Sequence, residues 1–413
     1  MILRVGLLIL SLLVPPPGAA ASGRDAAAER FRTWLAETIW PRARAEGVTR
    51  VTFDAALANV TLNPDLPGLS RPGAPAAPPA RQDQAEFGAP SAYFAAPKLR
   101  HATAGGRRMA RRHAETLARV EAATGVPARI ILAIWGRESG YGRARIPHDA
   151  FAVLATRAFL GPRQDFFTAE LIAALQIAQA GHIPARAMKS SAAGALGQPQ
   201  FMPSSFLRFA TDGDGDGQAD IWRSEADTIA SIATYLARQG WVAGRDWGFE
   251  VRVPADISCA LEGPDQGRRI ADWAAMGIAR VSGRPFPAHE RAGEGFLLMP
   301  AGRLGPAFIA TPNFTVLKAY NTSDLYALFV GHVGDRIAFG MGDFHGQWAT
   351  ADRLSRADIA AIQRALVSRG HDVGGVDGLP GYKTRRAIGR WQAATGRRQT
   401  CFSSAALRAA LAP

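Results

Sequence analysis

Apolar residues recur at helical spacing from about Ala102 to about Ala338, and only short Gly or Pro breaks interrupt them. Such spacing predicts a domain built mainly from amphipathic helices. Within it, the segments 249–253 and 295–298 have the apolar character of short strands. We therefore predict a mainly α (α+β) fold in which a helical domain carries a small β decoration.

The length of the chain sets the expected number of domains. With 413 residues, two or three domains are expected at about 100 to 200 residues each. Helical spacing begins near residue 28, and a Pro-rich excursion at about 63–80 breaks it. We predict one long region at 28–340, a Gly-rich linker at 341–353 and a separate module at 354–413.

The amino terminus predicts export. Arg4 precedes an apolar run at 5–14, and the small residues at 19–21 fit a cleavage site. The run has about half the length of a spanning helix, which disfavours the alternative of a membrane anchor. The cysteines, Cys259 and Cys401, lie far from this site, which excludes a lipid-modified N-terminal Cys. We predict a signal peptide at 1–21, a soluble periplasmic protein and no stable membrane span.

The charge balance suggests an anionic partner. Lys and Arg number 48 against 35 Asp and Glu, a net charge of +13, and nucleic acid is the first class that such a balance suggests. The basic residues are scattered rather than arranged in a stripe with aromatics, and export argues against nucleic acid. A solvated basic surface is the simplest interpretation, and an anionic polymer such as a bacterial cell wall is the alternative.

One carboxyl group has the setting of a general acid. Residues 126–127 open a predicted helix with apolar positions at 130, 131, 134 and 135, and Glu138 comes at its end, before the small residues of 139–142. A carboxyl group against an apolar wall has a raised pKa, so it can be protonated near neutral pH. Glu138 is therefore a candidate general acid, and a solvated helix-end Glu is the alternative that the local pattern leaves open.

An acidic loop predicts a calcium site. Carboxylates alternate with glycines from residue 212 to 217, and Gly217 at the sixth place matches the start of an EF-hand loop. The twelfth position is Arg223 instead of the usual Glu, so a closing ligand must come from farther along the chain. An acidic turn without metal is the alternative. The predicted loop ligands are Asp212, Asp214, Asp216 and Gln218.

Three motifs carry a resemblance to a known family: 133–142 (AIWGRESGYG), 191–205 (SAAGALGQPQFMPSS) and 313–327 (NFTVLKAYNTSDLYA). Weaker likeness includes 84–87 and Tyr93. The chain resembles the lytic transglycosylases typified by membrane-bound lytic murein transglycosylase B, lysozyme-like enzymes that cut bacterial peptidoglycan. This resemblance implies a lysozyme-like helical catalytic domain at about 28–340.

The resemblance also implies a role for each matched residue. Glu138 would be the single catalytic acid/base, protonating the glycosidic oxygen of the MurNAc-β-1,4-GlcNAc bond and then taking the proton of the muramic acid 6-hydroxyl. This attack closes a 1,6-anhydro ring without consuming water, and no organic cofactor is needed. The implied substrate-binding residues are Ser191, Gln200, Tyr320, Asn321, Tyr326 and Tyr93. For Tyr320 and Tyr326, simple core packing is the alternative.

Two other functions stay open from the sequence. A hydrolytic muramidase would cut the same bond, but hydrolytic glycosidases normally need two carboxylates about 5 to 9.5 Å apart. Asp149 and His148 could form a second catalytic pair, although a surface loop is the simpler interpretation. A non-catalytic scaffold that binds the wall is the other alternative, and the presence of Glu138, Ser191 and Gln200 disfavours it.

The resemblance places the closing calcium ligand on the helix that follows the acidic loop. Asp227 is the favoured ligand, and Glu225 is its rival. A calcium ion here would be structural, because it would bind loop oxygens beside the second motif and offers no obvious proton chemistry.

The last residues resemble a small peptidoglycan-binding domain. The likeness rests on a helix, loop, helix pattern that includes Gln363, 377–378, Thr384 and 391–392, and it predicts a three-helix module that binds glycan strands. The segment after Gly396 lacks the Asp-Gly that such domains usually carry. A three-helix bundle that only docks on its neighbour is therefore the alternative.

The cysteines have two possible states. Export would place Cys259 and Cys401 in an oxidising compartment, and their pairing would close a loop of about 140 residues. Two buried free thiols in separate domains are the alternative, and the sequence leaves both open.

Overall fold

The structure, a computed structural model, describes residues 17–69, 90–349, 352 and 354–412, with side chains from residue 25 onward. Most of the predicted signal peptide, most of the Pro-rich excursion, the segment 84–87 and part of the linker lie outside the described residues. The helices in chain order are α1 (Pro17–Trp34), α2 (Trp40–Ala45), α3 (Arg50–Leu57), α4 (Ala96–Arg112), α5 (Ala114–Thr124), α6 (Ala128–Ser139), α7 (Ala150–Leu160), α8 (Gln164–Gln179), α9 (Pro203–Phe209), α10 (Glu225–Arg238), α11 (Ile270–Ala275), α12 (Ala288–Arg291), α13 (Pro312–Tyr320), α14 (Asp324–Phe339), α15 (Arg356–Val367), α16 (Tyr382–Ala394) and α17 (Ala405–Ala410).

Short strands complete the secondary structure. They are β1 (His148–Asp149), β2 (Lys189–Ser190), β3 (Gly248–Arg252), β4 (Arg268–Arg269), β5 (Ala279–Arg280), β6 (Glu294–Leu298) and β7 (Ala307–Ala310). A π-helical turn, Leu35–Ile39, joins α1 to α2. The predicted mainly α fold with a small β decoration is confirmed.

The chain forms two compact units. Of the described residues, the first unit comprises 17–69, 146–195 and 202–204, and the second comprises the others. In the first unit an aromatic cluster ties α1 to α7, with ring centroids 5.4 Å apart for Phe31 and Phe159. The side chain of Gln179 at the end of α8 accepts from the Thr49 amide at 2.6 Å and donates to the Gly47 carbonyl at 2.9 Å.

The second unit has α6 at its centre. Residues 129–135 of this helix are all buried, and α4, α10 and α14 pack around it. Arg129 at its start donates to Asp335 at 2.6 Å and to Asp246 at 2.8 Å. The buried apolar surface of α6 therefore fixes its direction and the place where its last turn ends.

A five-stranded antiparallel sheet, in the order β4-β6-β7-β3-β5, completes the body of this unit. Ile309 of β7 pairs with Phe249 of β3 and with Leu297 of β6. The strands predicted at 249–253 and 295–298 match β3 and β6, and β7 between them is an additional strand. Cys259 and Trp273 pack in the same apolar cluster as these strands.

The carboxyl-terminal residues form three helices, α15 to α17, around a small core that includes Leu366, Ile388 and Leu407. We call residues 354–412 the C-terminal module. A disulfide joins Cys401 of this module to Cys259, and their Cα atoms lie 6.2 Å apart. The module is therefore docked on residues near Cys259 while keeping a core of its own.

None of the helices within the described residues combines the length and the apolar character that crossing a membrane requires.

Candidate active site

The first motif places Glu138 in the last turn of α6. The helix stops there because Gly140 adopts a left-handed conformation, with φ of 60°, and Tyr141 follows with φ of 64°. The Tyr141 hydroxyl donates to the Ala102 carbonyl at 2.6 Å, and its ring occupies the space that a Cβ would need at Gly105 or Gly136. A non-Gly residue in this conformation is strained, so the buried ring of Tyr141 fixes the turn that follows the catalytic candidate.

Glu138 has one close side-chain partner. The Tyr326 hydroxyl, from the first turn of α14, donates to the Glu138 Oε1 atom at 2.6 Å. Burial raises the pKa of Glu138, while the hydrogen bond from Tyr326 and the positive charge of Arg137 oppose that shift. Burial and the neighbouring carboxylate together raise the pKa of Tyr326 well above its usual value. Tyr326 therefore keeps its proton and remains a donor to Glu138.

Burial and two neighbouring side chains set the pKa of Glu138. Within the part of the chain that the structure describes, the groups that shift its pKa are Tyr326 and Arg137, and no other carboxylate is among them. A second carboxylate close enough for hydrolysis, at about 5 to 9.5 Å, would raise the pKa of Glu138 through charge repulsion. The site is therefore chemically suited to a single group that gives and takes one proton.

Tyrosine rings form a wall beside Glu138. The rings of Tyr320 and Tyr326 are nearly parallel, with centroids 6.4 Å apart and planes inclined by 10°. Tyr235 meets Tyr320 edge-on at 4.8 Å, and the Tyr320 hydroxyl donates to the Pro199 carbonyl at 2.6 Å. Tyr320 thus links the third motif to the second, and it is half-buried.

Arg137 also lines a cavity of about 610 Å³. The Arg137 guanidinium lies 5.1 Å from the centre of the Tyr93 ring and 5.6 Å from that of Phe329. It also donates to the Tyr93 hydroxyl at 3.0 Å. The other residues that line this cavity include Lys98 and His101. Tyr93, predicted from the weakest part of the resemblance, therefore lies next to the residue that precedes Glu138.

The other predicted contact residues make local hydrogen bonds. Gln200 has φ of 55°, and its side chain donates to the Gly197 carbonyl at 2.8 Å. Asn321 ends α13, and its side chain accepts from the Ser323 amide at 3.1 Å. In the first unit, the Ser191 hydroxyl accepts from the amides of Ala193 and Ala195 at 3.3 and 3.2 Å. Ser191, Gln200 and Asn321 remain predicted sugar contacts.

Gln198 is a further residue of this region that the sequence did not predict. This buried amide accepts from the Trp135 indole at 2.9 Å and donates to the Trp222 carbonyl at 3.3 Å. A Cβ at Gly142 would lie 2.4 Å from its side-chain oxygen. Gln198 thus fixes the second motif against the first. Its place among small residues in the second motif was the available signal.

Asp149 and His148, the alternative catalytic pair, lie in the first unit and make contacts within its secondary structure. They form β1, which pairs with β2, and the Asp149 carboxylate caps α7 by accepting from the Ala152 amide at 3.0 Å.

The acidic loop brings Asp212, Asp214 and Asp227 together, with one carboxylate oxygen of each within 4.8 Å of the others. Asp227 is 1% exposed, and its two oxygens accept from the amides of Gly213 and Asp220 at 2.8 and 2.6 Å. These are hard oxygen donors, which suit Ca²⁺. The residues present therefore fit a calcium ion.

The remaining members of the predicted calcium set differ in position. Asp216 lies outside that group of three, and its carboxylate accepts from the Gln218 amide at 2.8 Å. Glu225, the rival closing ligand, lies 2.7 Å from the His113 Nε2 atom and 3.5 Å from Arg112. The geometry thus favours Asp227 over Glu225 as the residue that faces the loop.

A comparison with protein families defines the class of this protein. The family described as the transglycosylase SLT domain matches residues 30–335, and the chain belongs to it. The recognition made from the three motifs is thereby confirmed, as is the lysozyme-like fold.

Particular relatives sharpen this assignment. The chain is 33% identical over 215 residues to the membrane-bound lytic murein transglycosylase B of Escherichia coli (strain K12). That match covers 52% of the chain and 58% of the relative, so the chain spans little more than half the length of this curated protein.

Two solved structures are similar over longer stretches. SltB3 from Pseudomonas aeruginosa, in complex with NAG-anhNAM-pentapeptide, is 37% identical with a TM-score of 0.80, covering 92% of this chain and 99% of that one. The Escherichia coli lytic transglycosylase SLT35 in complex with calcium is 28% identical with a TM-score of 0.53, covering 62% of this chain and 80% of that one.

Proposed function

We propose that this protein is a peptidoglycan lytic transglycosylase, a carbon–oxygen lyase that cleaves the MurNAc-β-1,4-GlcNAc bond and leaves 1,6-anhydro-MurNAc ends. The observation that carries this proposal is the setting of Glu138, a carboxyl group with a raised pKa, a tyrosine donor at 2.6 Å and no acidic neighbour that shifts its pKa among the described residues. The anhydro-muramic ligand bound by the similar SltB3 agrees with this product.

The reaction needs one proton to move in each direction. Protonated Glu138 gives its proton to the glycosidic oxygen, and the bond from that oxygen to C1 of MurNAc breaks. The 6-hydroxyl oxygen of the same MurNAc bonds to C1, and the Glu138 carboxylate takes the hydroxyl proton. Atoms balance without water, and Glu138 returns to its starting state.

The neighbours of Glu138 have supporting roles in this proposal. Burial favours the protonated acid that the first half-reaction needs. The Tyr326 hydroxyl stabilises the carboxylate that forms when the proton leaves. Tyr320 and Tyr93 offer ring faces and hydroxyls to the sugars. Gln200 and Asn321 are further predicted sugar contacts in the second unit, and Ser191 is a predicted sugar contact in the first unit.

Product analysis with a Glu138→Gln variant tests this function. Wild-type digests of peptidoglycan should end in 1,6-anhydro-MurNAc, which is lighter than the hydrolytic product by one water. Glu138→Gln should stay folded and lose about two to four decades of activity, because the amide cannot exchange the proton. Glu115→Gln, an exposed change on α5, is the matched control and should cleave like wild type. Reducible MurNAc ends throughout the wild-type digest would instead identify a hydrolytic muramidase.

We also propose a structural calcium ion in the acidic loop. Asp212, Asp214 and Asp227 would hold it, with Asp216 and Gln218 as further predicted ligands, and it would contribute charge neutralisation and rigidity to the loop. The calcium complex of the similar SLT35 supports this proposal. No step of the glycan reaction passes through the ion.

The remaining proposals concern place and partners. The substrate lies outside the cytoplasm, so we propose a periplasmic enzyme that is exported through the signal peptide predicted at 1–21. Its partner is the glycan strand of peptidoglycan, and we propose that the C-terminal module contributes to binding it. The proposed domains are the catalytic region at 28–340, the linker at 341–353 and the module at 354–413.

A further inference from the structure

Arg385 of the C-terminal module is buried at the contact between the module and the rest of the second unit. Its guanidinium donates to both carboxylate oxygens of Glu262, at 2.8 and 3.1 Å, and Glu262 is itself completely buried. The same guanidinium lies 3.6 Å from a carboxylate oxygen of Asp324. Arg385 therefore bridges two acidic residues that belong to different parts of the unit.

Asp324 is the first residue of α14, the helix that carries Tyr326. Its other carboxylate oxygen accepts from the Lys318 ammonium at 2.6 Å. A carboxylate in the first turn of a helix interacts favourably with the helix dipole. Arg385 and Lys318 thus both contact the Asp324 carboxylate. Asp324 lies in the same helical turn as Tyr326, whose hydroxyl contacts Glu138.

We propose that Arg385 is a positioning residue for the catalytic centre, which holds the Tyr326 hydroxyl on Glu138 by fixing Asp324 and the first turn of α14. This inference deepens the proposed function and rests on it. It gives the C-terminal module a role in the chemistry besides any binding of the wall.

The geometry explains why this contact matters. The Tyr326 to Glu138 hydrogen bond is short, at 2.6 Å, and such bonds weaken steeply when distance or angle changes. The amides in the first turn of a helix lack partners within the helix, and in α14 the Ser323 hydroxyl accepts from the Tyr326 amide at 3.1 Å. Arg385 and Lys318, which both contact the Asp324 carboxylate, add to this cap at the turn that carries Tyr326.

A titration of Glu138 measures directly whether Arg385 affects the hydrogen bond between Tyr326 and Glu138. Within the residues that the structure describes, the groups that interact electrostatically with Glu138 are Arg137 on its own helix and Tyr320 and Tyr326 from the third motif. A weaker Tyr326 bond destabilises the carboxylate, which moves the pKa of Glu138 upward. Carbon-13 NMR of glutamate carboxyls in the whole protein, assigned with Glu138→Gln, measures that pKa without requiring turnover.

The test compares Arg385→Gln with Arg386→Gln. Arg386 is next in the chain and pairs with Asp265 at 2.6 and 2.9 Å, so its loss also weakens module docking but removes no group from Asp324. Arg385→Gln should raise the pKa of Glu138 and lower kcat on soluble glycan fragments by about tenfold, with KM little changed. Arg386→Gln should alter neither the pKa of Glu138 nor kcat.

Asp324→Asn examines the same link from the other side and leaves the pair of Arg385 and Glu262 in place, so the inference stays testable if Arg385→Gln does not fold. It should also raise the pKa of Glu138. A Glu138 titration identical to wild type in the folded variants would overturn the inference, whatever the activity. Absence of glycan cleavage by the wild-type protein would overturn the proposed function instead, since the NMR readout needs no catalysis.

Discussion

Replacing Tyr326 by Phe removes one oxygen atom from the proposed active site. The ring of Tyr326 is 1% exposed and lies parallel to that of Tyr320, so Phe should keep the packing and the fold. What disappears is the 2.6 Å hydrogen bond to Glu138. The variant therefore separates the effect of the phenol hydroxyl from the effect of the wall of rings.

The expected size of the loss follows from the kind of hydrogen bond. Bonds to a charged group contribute about 1.5 to 3 kcal/mol, and each 1.36 kcal/mol is about one decade in rate. If the bond is made fully to the carboxylate that forms during the reaction, kcat should fall by about 10- to 150-fold. The loss should be smaller than that of Glu138→Gln, because the acid itself remains.

The pH dependence of kcat gives an independent test, because the direction of its shift can be predicted. A hydrogen bond to the carboxylate lowers the pKa of Glu138, so its removal raises that pKa. The protonated acid then persists to higher pH, and the alkaline limb of the kcat profile should move upward. Soluble glycan fragments are the suitable substrate, since they do not depend on wall binding.

Tyr382→Phe is the matched control for this prediction. Tyr382 begins α16 in the C-terminal module, where its ring lies against the Arg386 guanidinium, and its substitution should leave kcat and the alkaline limb unchanged. A Tyr326→Phe enzyme with wild-type kcat, or one whose alkaline limb moves to lower pH, would refute the role given to the hydroxyl.

Three further predictions concern stability. Calcium should raise the melting temperature because it binds the folded loop, and Asp214→Ala should remove most of that gain. A melting temperature that changes with neither calcium nor chelator would contradict the proposed calcium site. Thiol titration of the denatured, unreduced protein should find Cys259 and Cys401 blocked, and reduction should cost about 5 kcal/mol in the chain-entropy estimate for a loop of this length; two free thiols would rule out the disulfide. Burial raises the pKa of Asp335 from 3.8 to about 6, although the Arg129 guanidinium and the Trp247 indole oppose the shift. With respect to this group, the protein should therefore be most stable below pH 3.8 and should lose stability as pH rises through 6. Asp335→Asn should flatten this part of the dependence of melting temperature on pH, and an unchanged slope would show that the carboxyl does not titrate there.

Local pattern was enough to place Glu138. The apolar positions of α6 and the small residues after them predict a helix that ends near Glu138, because the 3.6-residue period and left-handed glycine caps are local properties. Whether this carboxyl group is buried or solvated was left open by the local pattern. The same reasoning separated β3 and β6 from the surrounding helices. The strand β7 was missed, since its residues 307–310 are buried throughout and have no alternation to reveal them.

Contacts between distant residues were beyond local pattern. The hydrogen bond between Tyr326 and Glu138 joins positions 188 residues apart. Only the family resemblance indicated that both residues belong to the site, and it did not predict the hydrogen bond itself. Gln198 was not predicted for the same reason, because its role depends on hydrogen bonds with Trp135 and Trp222, which are distant in the sequence. The choice between Asp227 and Glu225 likewise depended on where His113 lies.

The domain organisation could likewise be predicted only in part. The three helices of the C-terminal module follow from sequence, and docking on a neighbour was one of the two alternatives left open, but the residues that make the contact could not be named. Arg385 and Glu262 are both charged residues that composition would assign to the surface, and only their mutual burial reveals the contact. The cysteines could be counted but not paired, because pairing depends on which surfaces meet.

The Cys259–Cys401 disulfide changes what a break in the backbone would do. Residues 340–343, which directly follow α14, are all exposed, so they are the natural place for a protease to cut. A cut there falls inside the covalent ring that the disulfide closes. The two fragments would migrate together on a non-reducing gel and separate only after reductant is added, so release of the C-terminal module requires two chemical events instead of one.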